Sequence, residues 1–287
     1  IKTNTGHQAI AVTTDCNIFY CDIDPYEGAL QAVAESYRNL ISVGSKPLAL
    51  TNCLNFGNPE KNIIMGQFVN TIKGINIASK KLRLPIVSGN VSFYNETNDN
   101  NIPPTPQIGA VGVINDYRKV ISNSSFKLDD NIYLIGASGS HLSCSAYERC
   151  FYNYKDIKKN SIPPKVDLDQ EKHNGEFIHK LINKKIISSC HDISDGGLII
   201  SLLEMCLTNK CSISFSKKFK SHSFLFGEDQ SRYIVSVNKF KLKEFDKNIK
   251  SSKIQNVKIG RIKKGNIIKF ADDSFINIDE LKKRNKL

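Results

Sequence analysis

Pro85-Ile86-Val87-Ser88-Gly89-Asn90-Val91-Ser92-Phe93-Tyr94-Asn95-Glu96 is the stretch on which the reading of the fold turns. Pro85 to Ser88 reads as a short buried strand, and a Gly-Asn turn follows it at once. Polar groups are dense directly behind the apolar residues. Gly89 lets the backbone come close to a ligand. Asn90 offers a neutral oxygen to a hard cation, and Ser92 a hydroxyl to a phosphate or an amide. The loop then runs to Ile102-Pro103-Pro104-Thr105-Pro106, whose prolines fix an extended path.

Outward from this stretch, strands and helices alternate. Upstream, Ala9 to Thr14 reads as a strand of small and β-branched residues. Gly28 to Val43 reads as a helix with Ala29, Ala32, Val33, Ser36, Tyr37, Leu40 and Ile41 on one face, stopped by Gly44. Leu48 to Thr51 is a short strand, and a helix follows Pro59 to about Lys81. Downstream, Gln107 to Ile114 is a strand broken by Gly109 and Gly112. After the polar turn Lys127 to Asn131, a second unit opens with a strand at Ile132–Ala137. Its helices are expected at Gln170–Asn183, Gly197–Leu207 and Phe240–Lys247, and its strands at Ile186–Cys190, Ile213–Phe215, Arg232–Val237 and Val257–Ile262. The basic end, Leu281–Leu287, is expected to fray. Alternation gives an α/β (α+β) chain of two domains, 1–125 and 126–287.

The chain has 287 residues and a net charge of +12, yet residues 1–120 hold 10 Lys+Arg against 9 Asp+Glu, so nearly all the excess lies beyond them. Those lysines stand singly or in pairs, with no nucleic-acid-binding signature, which favours a solvated surface over a nucleic-acid partner. There is no apolar run of membrane length and no signal peptide, so neither a membrane nor secretion is expected. The eight cysteines form no CxxC pair and no zinc-finger spacing, and read as buried reduced thiols of a cytoplasmic protein. The chain opens on Ile1 rather than Met, which suggests a fragment, a processed product or a domain.

Four further motifs carry polar chemistry. Thr13-Thr14-Asp15-Cys16-Asn17 puts a carboxylate at a strand end, as a ligand site or a surface turn. Thr51-Asn52-Cys53-Leu54-Asn55-Phe56-Gly57-Asn58-Pro59-Glu60 leads a strand into an Asn- and Gly-rich loop with Pro59 at a first helical position. Its free amides suit an anion or a set of Asx turns. His191-Asp192-Ile193-Ser194-Asp195-Gly196-Gly197 ends a strand and opens a helix that Ser194 or Asp195 could cap. A hydrolase triad is disfavoured there, because adjacent residues rarely point together. Gly227-Glu228-Asp229-Gln230-Ser231-Arg232 fits either substrate contact or a solvated turn.

In order, these segments resemble the large synthetase subunit of the phosphoribosylformylglycinamidine synthases. The residues that carry the resemblance also include Asp24-Pro25-Tyr26-Glu27-Gly28, Glu35-Ser36-Tyr37-Arg38-Asn39 and Pro104-Thr105-Pro106. The likeness runs from about Ala9 to Gly260 and is to the second of that family's two homologous halves. It implies an aminoimidazole ribonucleotide synthetase-like A domain followed by a B domain, with A domains pairing through their sheets. It implies an ATP-dependent C–N ligase of purine biosynthesis. Formylglycinamide ribonucleotide, ATP and glutamine-derived ammonia become formylglycinamidine ribonucleotide, ADP and phosphate.

By position, the resemblance makes Asn52 and Gly89 ATP contacts, Asn90 a Mg2+ ligand and Ser92 a substrate contact. Asn52 stands where the family usually has Asp, which removes a charge. Glu228-Asp229-Gln230 resembles a Glu-Ser-Gln segment that binds substrate in the other half. The family's proton-accepting histidine belongs to the first half, and no catalytic residue is assigned here. The implied partners are the N-terminal half, a glutaminase subunit and a small accessory subunit. A fragment with little turnover of its own, a non-catalytic nucleotide-holding module, and another synthetase of the same fold are the alternatives.

Overall fold

Asn17 and Asp24 set the entry to the fold. The Asn17 side chain accepts from the Phe19 and Tyr20 amides and caps a short helix, α1 (Ile18–Ile23). Asp24 ends α1 and caps α2 (Pro25–Ser42), with proline at the first helical position. A computed structural model describes every residue except Thr5, Lys217, Lys220, Lys286 and Leu287, and the backbone alone of Asn285.

The first unit comprises β1 (Ala9–Asp15), α1, α2, β2 (Lys46–Asn55), α3 (Asn62–Leu82), β3 (Ile86–Ser92), the two-residue strands β4 (Glu96–Thr97) and β5 (Asn100–Asn101), and β6 (Thr105–Ile114). Its main sheet has the order β1-β6-β2-β3, with only β2 and β3 parallel. The second unit comprises β7 (Asn131–Ile135), α4 (Ala146–Phe151), α5 (Tyr154–Asn160), α6 (Leu168–Asn183), β8 (Ser189–Asp192), α7 (Gly197–Asn209), β9 (Cys211–Phe215), α8 (His222–Phe226), β10 (Tyr233–Val237), α9 (Leu242–Ser252), β11 (Asn256–Lys264), β12 (Ile267–Lys269), β13 (Phe275–Asn277) and α10 (Ile278–Asn285). Its sheet has the order β13-β12-β9-β11-β7-β10-β8, antiparallel except between β12 and β9. The α/β (α+β) class therefore holds, in its antiparallel form.

Helix α2 joins the two units. The face expected from the sequence is buried against the first sheet and α3, but Gln31, Ala34 and Arg38 are buried as well. One apolar core runs from Val33, Leu50 and Ile75 through Ile178 and Leu181 of α6 to Tyr233 and Val235 of β10. A second core lies across the sheet, where Ile234 meets Leu198, Leu202 and Met205 of α7. Strand alternation sends neighbouring β10 residues to the two cores, so this sheet is covered on both faces.

The first sheet is covered on one face only. Val12 and Val87 are 63% and 68% exposed, and Ile10 and Leu48 are also exposed. The expected buried strand at Pro85–Ser88 is thus an exposed edge strand that continues to Ser92 rather than turning at Gly89. Its apolar residues lack a cover, not a strand. The expected strand at Ile186–Cys190 forms later, at Ser189–Asp192, and Phe240 lies exposed ahead of α9 rather than within it. The end expected to fray is helical to Asn285, with the Lys282 ammonium donating to the Leu207 carbonyl at 2.8 Å; Lys286 and Leu287 lie outside the described residues. Among the described residues, no helix is long and apolar enough to cross a membrane.

Candidate functional site

The parallel pairing of β2 with β3 puts all four sequence-predicted residues on two neighbouring strands. Asn52 pairs with Gly89, Cys53 with Asn90, and Asn55 with Ser92. A β-carbon on Gly89 would lie 2.3 Å from Asn52 Oδ1, so the Asn52 amide packs directly over the glycine backbone. Alternation places Asn52 and Gly89 toward the helix-covered face and Asn90 and Ser92 toward the bare face. Asn90 is exposed there, and on the same side the Thr51 and Ser88 hydroxyls lie 2.7 Å apart. Asn95 fixes the end of the strand: its amide donates to Ser92 Oγ at 3.1 Å, to the Ser92 carbonyl at 3.1 Å and to the Phe56 carbonyl at 2.9 Å.

The loop after β2 is built from Asx turns. Asn58 Oδ1 accepts from the Glu60 amide at 3.0 Å, and the Asn58 amide donates to Asn101 Oδ1 at 2.7 Å. Gly57 is required because a β-carbon would meet the Asn101 side chain. Pro59 sits in this turn, not at the first helical position, because α3 begins only at Asn62.

The remaining motifs converge at the junction of the two units. Asp15 accepts from Ser36 Oγ at 2.8 Å and Asn39 Nδ2 at 2.7 Å. Burial raises the Asp15 carboxyl above its ordinary range. Asn17 Nδ2 donates to Asp195 Oδ1 at 2.9 Å. Asp195 therefore reaches across to the first unit and does not cap α7. Neither Asp195 nor Ser194 is the cap: Gly196 takes that place in the left-handed region, with no side-chain cap. His191 contacts Asp192 at 3.2 Å and Glu204 at 3.0 Å. Burial would depress the imidazole, but these carboxylates outweigh it and lift His191 to about 9. A charged, doubly paired histidine is no general base for Ser194.

Glu228 is buried and fully used. It accepts from the Tyr20 hydroxyl and from the Ala146 and Gly196 amides, each amide at 2.7 Å. Asp229 accepts from the Ser140 amide and hydroxyl and from the His141 amide. The 227–232 segment is thus a tie among α1, the 139–146 loop and the turn before α7, rather than a solvated turn. The sequence reading missed the adjacent buried pair of Arg38 with Glu171 at 2.6 Å. Its one signal was an arginine flanked by buried positions of α2. A cavity of about 790 Å3 opens between β1, α2 and β8 and reaches His191 and Asp192; none of Asn52, Gly89, Asn90 and Ser92 lines it.

Among the described residues, no group of three or more His, Cys, Asp or Glu side chains is placed to hold a metal. All eight cysteines are free; five are buried, but Cys53 and Cys150 are exposed, contrary to the uniform burial expected.

Two α/β units joined through a shared helix, the first with one sheet face bare and the second covered on both, define the class. The AIR synthase related protein N-terminal domain matches residues 1–114, and the corresponding C-terminal domain matches residues 128–273. The chain belongs to the AIR synthase related family. It is similar to the phosphoribosylformylglycinamidine synthase subunit PurL of Pelagibacter ubique, at 41% identity over 98% of this chain and 38% of that protein. The resemblance read from the motifs is borne out. The chain spans well under half the length of the curated relatives it matches. Its fold is that of T. maritima PurL complexed with FGAR, with a TM-score of 0.79 at 16% identity, covering 96% of this chain and 46% of that one. T. maritima PurL complexed with ATP gives 0.75 at 15% identity, covering 96% and 44%.

Proposed function

We propose that this chain is the second half of an ATP-dependent phosphoribosylformylglycinamidine synthase, a cytoplasmic ligase of purine biosynthesis. Residues 1–125 form its A domain and 126–287 its B domain. The observation that carries the reading is the bare apolar face of the first sheet, with Asn90 and Ser92 on that same face. A sheet built to be covered, with ligand groups at the cover, fits half of a shared site. The N-terminal half of the subunit is its cover, and glutaminase and small accessory subunits complete the assembly.

In this reading Asn52 and Gly89 contact ATP, Asn90 contributes an amide oxygen to Mg2+, and Ser92 contacts formylglycinamide ribonucleotide. Mg2+, when bound, neutralises phosphate charge. One amide oxygen suits that ion only where phosphates and waters supply the other ligands. ATP activates the substrate amide oxygen and ammonia displaces phosphate. The chain's own part is to hold the nucleotide against β2 and β3 and to orient the substrate through the Ser92 hydroxyl.

A second reading, a nucleotide-holding module without a catalytic role, is favoured by Asn52, which supplies no charge where the family has a carboxylate. The test is formylglycinamidine ribonucleotide formation from ATP and ammonia. The chain alone is expected to be inactive, and activity is expected to return with the N-terminal half. Robust turnover by the chain alone would overturn the half-site reading. Asn90→Ala and Ser92→Ala in the whole subunit separate the two readings: lost activity with intact assembly supports direct contacts, and unchanged activity supports the holding module.

A further inference from the structure

Cys206 lies in the last turn of α7 and Cys211 is the first residue of β9. Their Sγ atoms are 3.0 Å apart, in hydrogen-bond contact, and both residues are buried in the second core. They are far in sequence from the proposed ATP and substrate contacts, and no step of the proposed chemistry uses them. We propose that Cys206 and Cys211 are a modification site, a dithiol that a peroxide converts to an intrachain disulfide.

Three observations carry it. The sulfurs need to close only from 3.0 Å to the ~2.05 Å of a disulfide, which short side-chain rotations supply. Four residues separate them: Leu207 packs on the second core, while Thr208 and Asn209, the end of α7, and Lys210, the turn after it, are exposed, so the pair lies directly beneath an exposed helix end. Lys210 holds φ at +38°, in the left-handed region that disfavours a side chain, so the connection from Cys206 to Cys211 is strained. The contact also makes the two thiols unequal. Cys211 is lowered below the usual thiol range by the Cys206 thiol, while Cys206 is held protonated.

The chemistry balances with hydrogen peroxide as oxidant. The Cys211 thiolate attacks a peroxide oxygen, the O–O bond breaks, and the sulfur becomes a sulfenic acid as the leaving hydroxide takes a proton to form water. The Cys206 sulfur then attacks the Cys211 sulfur, the S–O bond breaks, and the oxygen leaves as a second water with the Cys206 proton. Two thiols and one peroxide become one disulfide and two waters.

The experiment treats the folded full chain with millimolar hydrogen peroxide, quenches it, blocks remaining thiols and maps peptides by mass spectrometry. The expected product is a Cys206–Cys211 link, lighter by two hydrogens and reversed by dithiothreitol. It is expected to be absent from Cys206→Ser and from Cys211→Ser, and the wild-type chain should melt higher oxidised than reduced. The Cys21 thiol contacts Cys16 and is the internal competitor. Oxidation that links Cys16 to Cys21, or modifies only exposed Cys53 and Cys150, while Cys206 and Cys211 stay blocked as free thiols, would overturn the proposal. A Cys206–Cys211 link that forms only after the chain is unfolded in urea would do the same.

Discussion

Glu171→Ala tests the junction of the two units. Arg38 and Glu171 are both fully buried and meet at 2.6 Å, and Glu171 Oε1 also accepts from the Ser231 amide at 2.8 Å. Removing the carboxylate leaves a buried guanidinium without its ion-pair partner, with Asp192 acting on it only at longer range, and an amide with no acceptor. Breaking a buried pair on one side costs about 3–5 kcal/mol. In a chain of this size, each kcal/mol lowers the melting temperature by about 2–4 °C, so the fall should be roughly 6–20 °C. Lys81–Asp169 supplies the control: its N–O distance is also 2.6 Å and Asp169 lies on the same helix, α6, but both side chains are largely exposed. Asp169→Ala should cost about 0–1 kcal/mol. Thermal unfolding followed by circular dichroism reads both variants. Equal shifts for the two would refute the reasoning, since distance and not burial would then set the cost. A third variant pair, Arg38→Met with Glu171→Leu, should recover much of the loss, because the charges leave together.

Gly66 and Gly28 are both helical, with opposite expectations. A β-carbon on Gly66 meets nothing within 4 Å, so Gly66→Ala should stabilise by about 0.5–1 kcal/mol in urea unfolding. On Gly28 it would lie 2.6 Å from the Cys21 backbone nitrogen, so Gly28→Ala should destabilise by at least about 1–3 kcal/mol. Glu35 is raised to about 8 by burial, so the folded state holds its proton more tightly than the unfolded state. Its contribution is complete below the unfolded value near 4.5 and is lost as pH rises through about 8. Glu35→Gln should therefore flatten the fall in stability between these values, measured as melting temperature against pH. Gly89→Ala must displace the Asn52 amide and should weaken nucleotide binding in the whole subunit more than it weakens the fold, by calorimetric titration against a thermal scan.

The order of elements was legible because the major helices carry apolar stripes of their own, although only α2 and α6 among the long ones also carry a side-chain cap. The apolar positions of α2 needed no tertiary knowledge, although the helix starts at Pro25, capped by Asp24, three residues before the Gly28 read from the sequence. What escaped the sequence was every property set by a neighbour far along the chain. Arg38 lay off the apolar face read for α2 and carried no structural reading, because its partner, Glu171, is 133 positions away. Glu228 fitted a substrate contact or a solvated turn equally well until Tyr20, Ala146 and Gly196 converged on it. Val87 shows the opposite error: an apolar run was read as buried, yet the sheet face it occupies has no cover within this chain. The candidate residues were placed by the resemblance, but their division between two faces of the sheet appeared only with the β2–β3 register.

That division ties stability to function through one surface. Val12 and Val87 present their side chains to solvent on the first sheet, and Asn90 and Ser92 share its bare face. Covering this face would remove apolar area from water and close the polar groups against a ligand in the same step. Val12→Lys separates the two effects. Val12 is exposed in the isolated chain, so the substitution should change its stability by no more than about 0.5 kcal/mol. Under the proposed function it should weaken reassociation with the N-terminal half, and activity should fall in proportion to the complex lost. Size-exclusion chromatography and the ammonia-dependent assay measure the two quantities on the same sample. If association falls while the activity of the remaining complex falls further, Val12 acts on the chemistry as well. If association is untouched, the bare face is not where the other half binds, and the half-site reading loses its central observation.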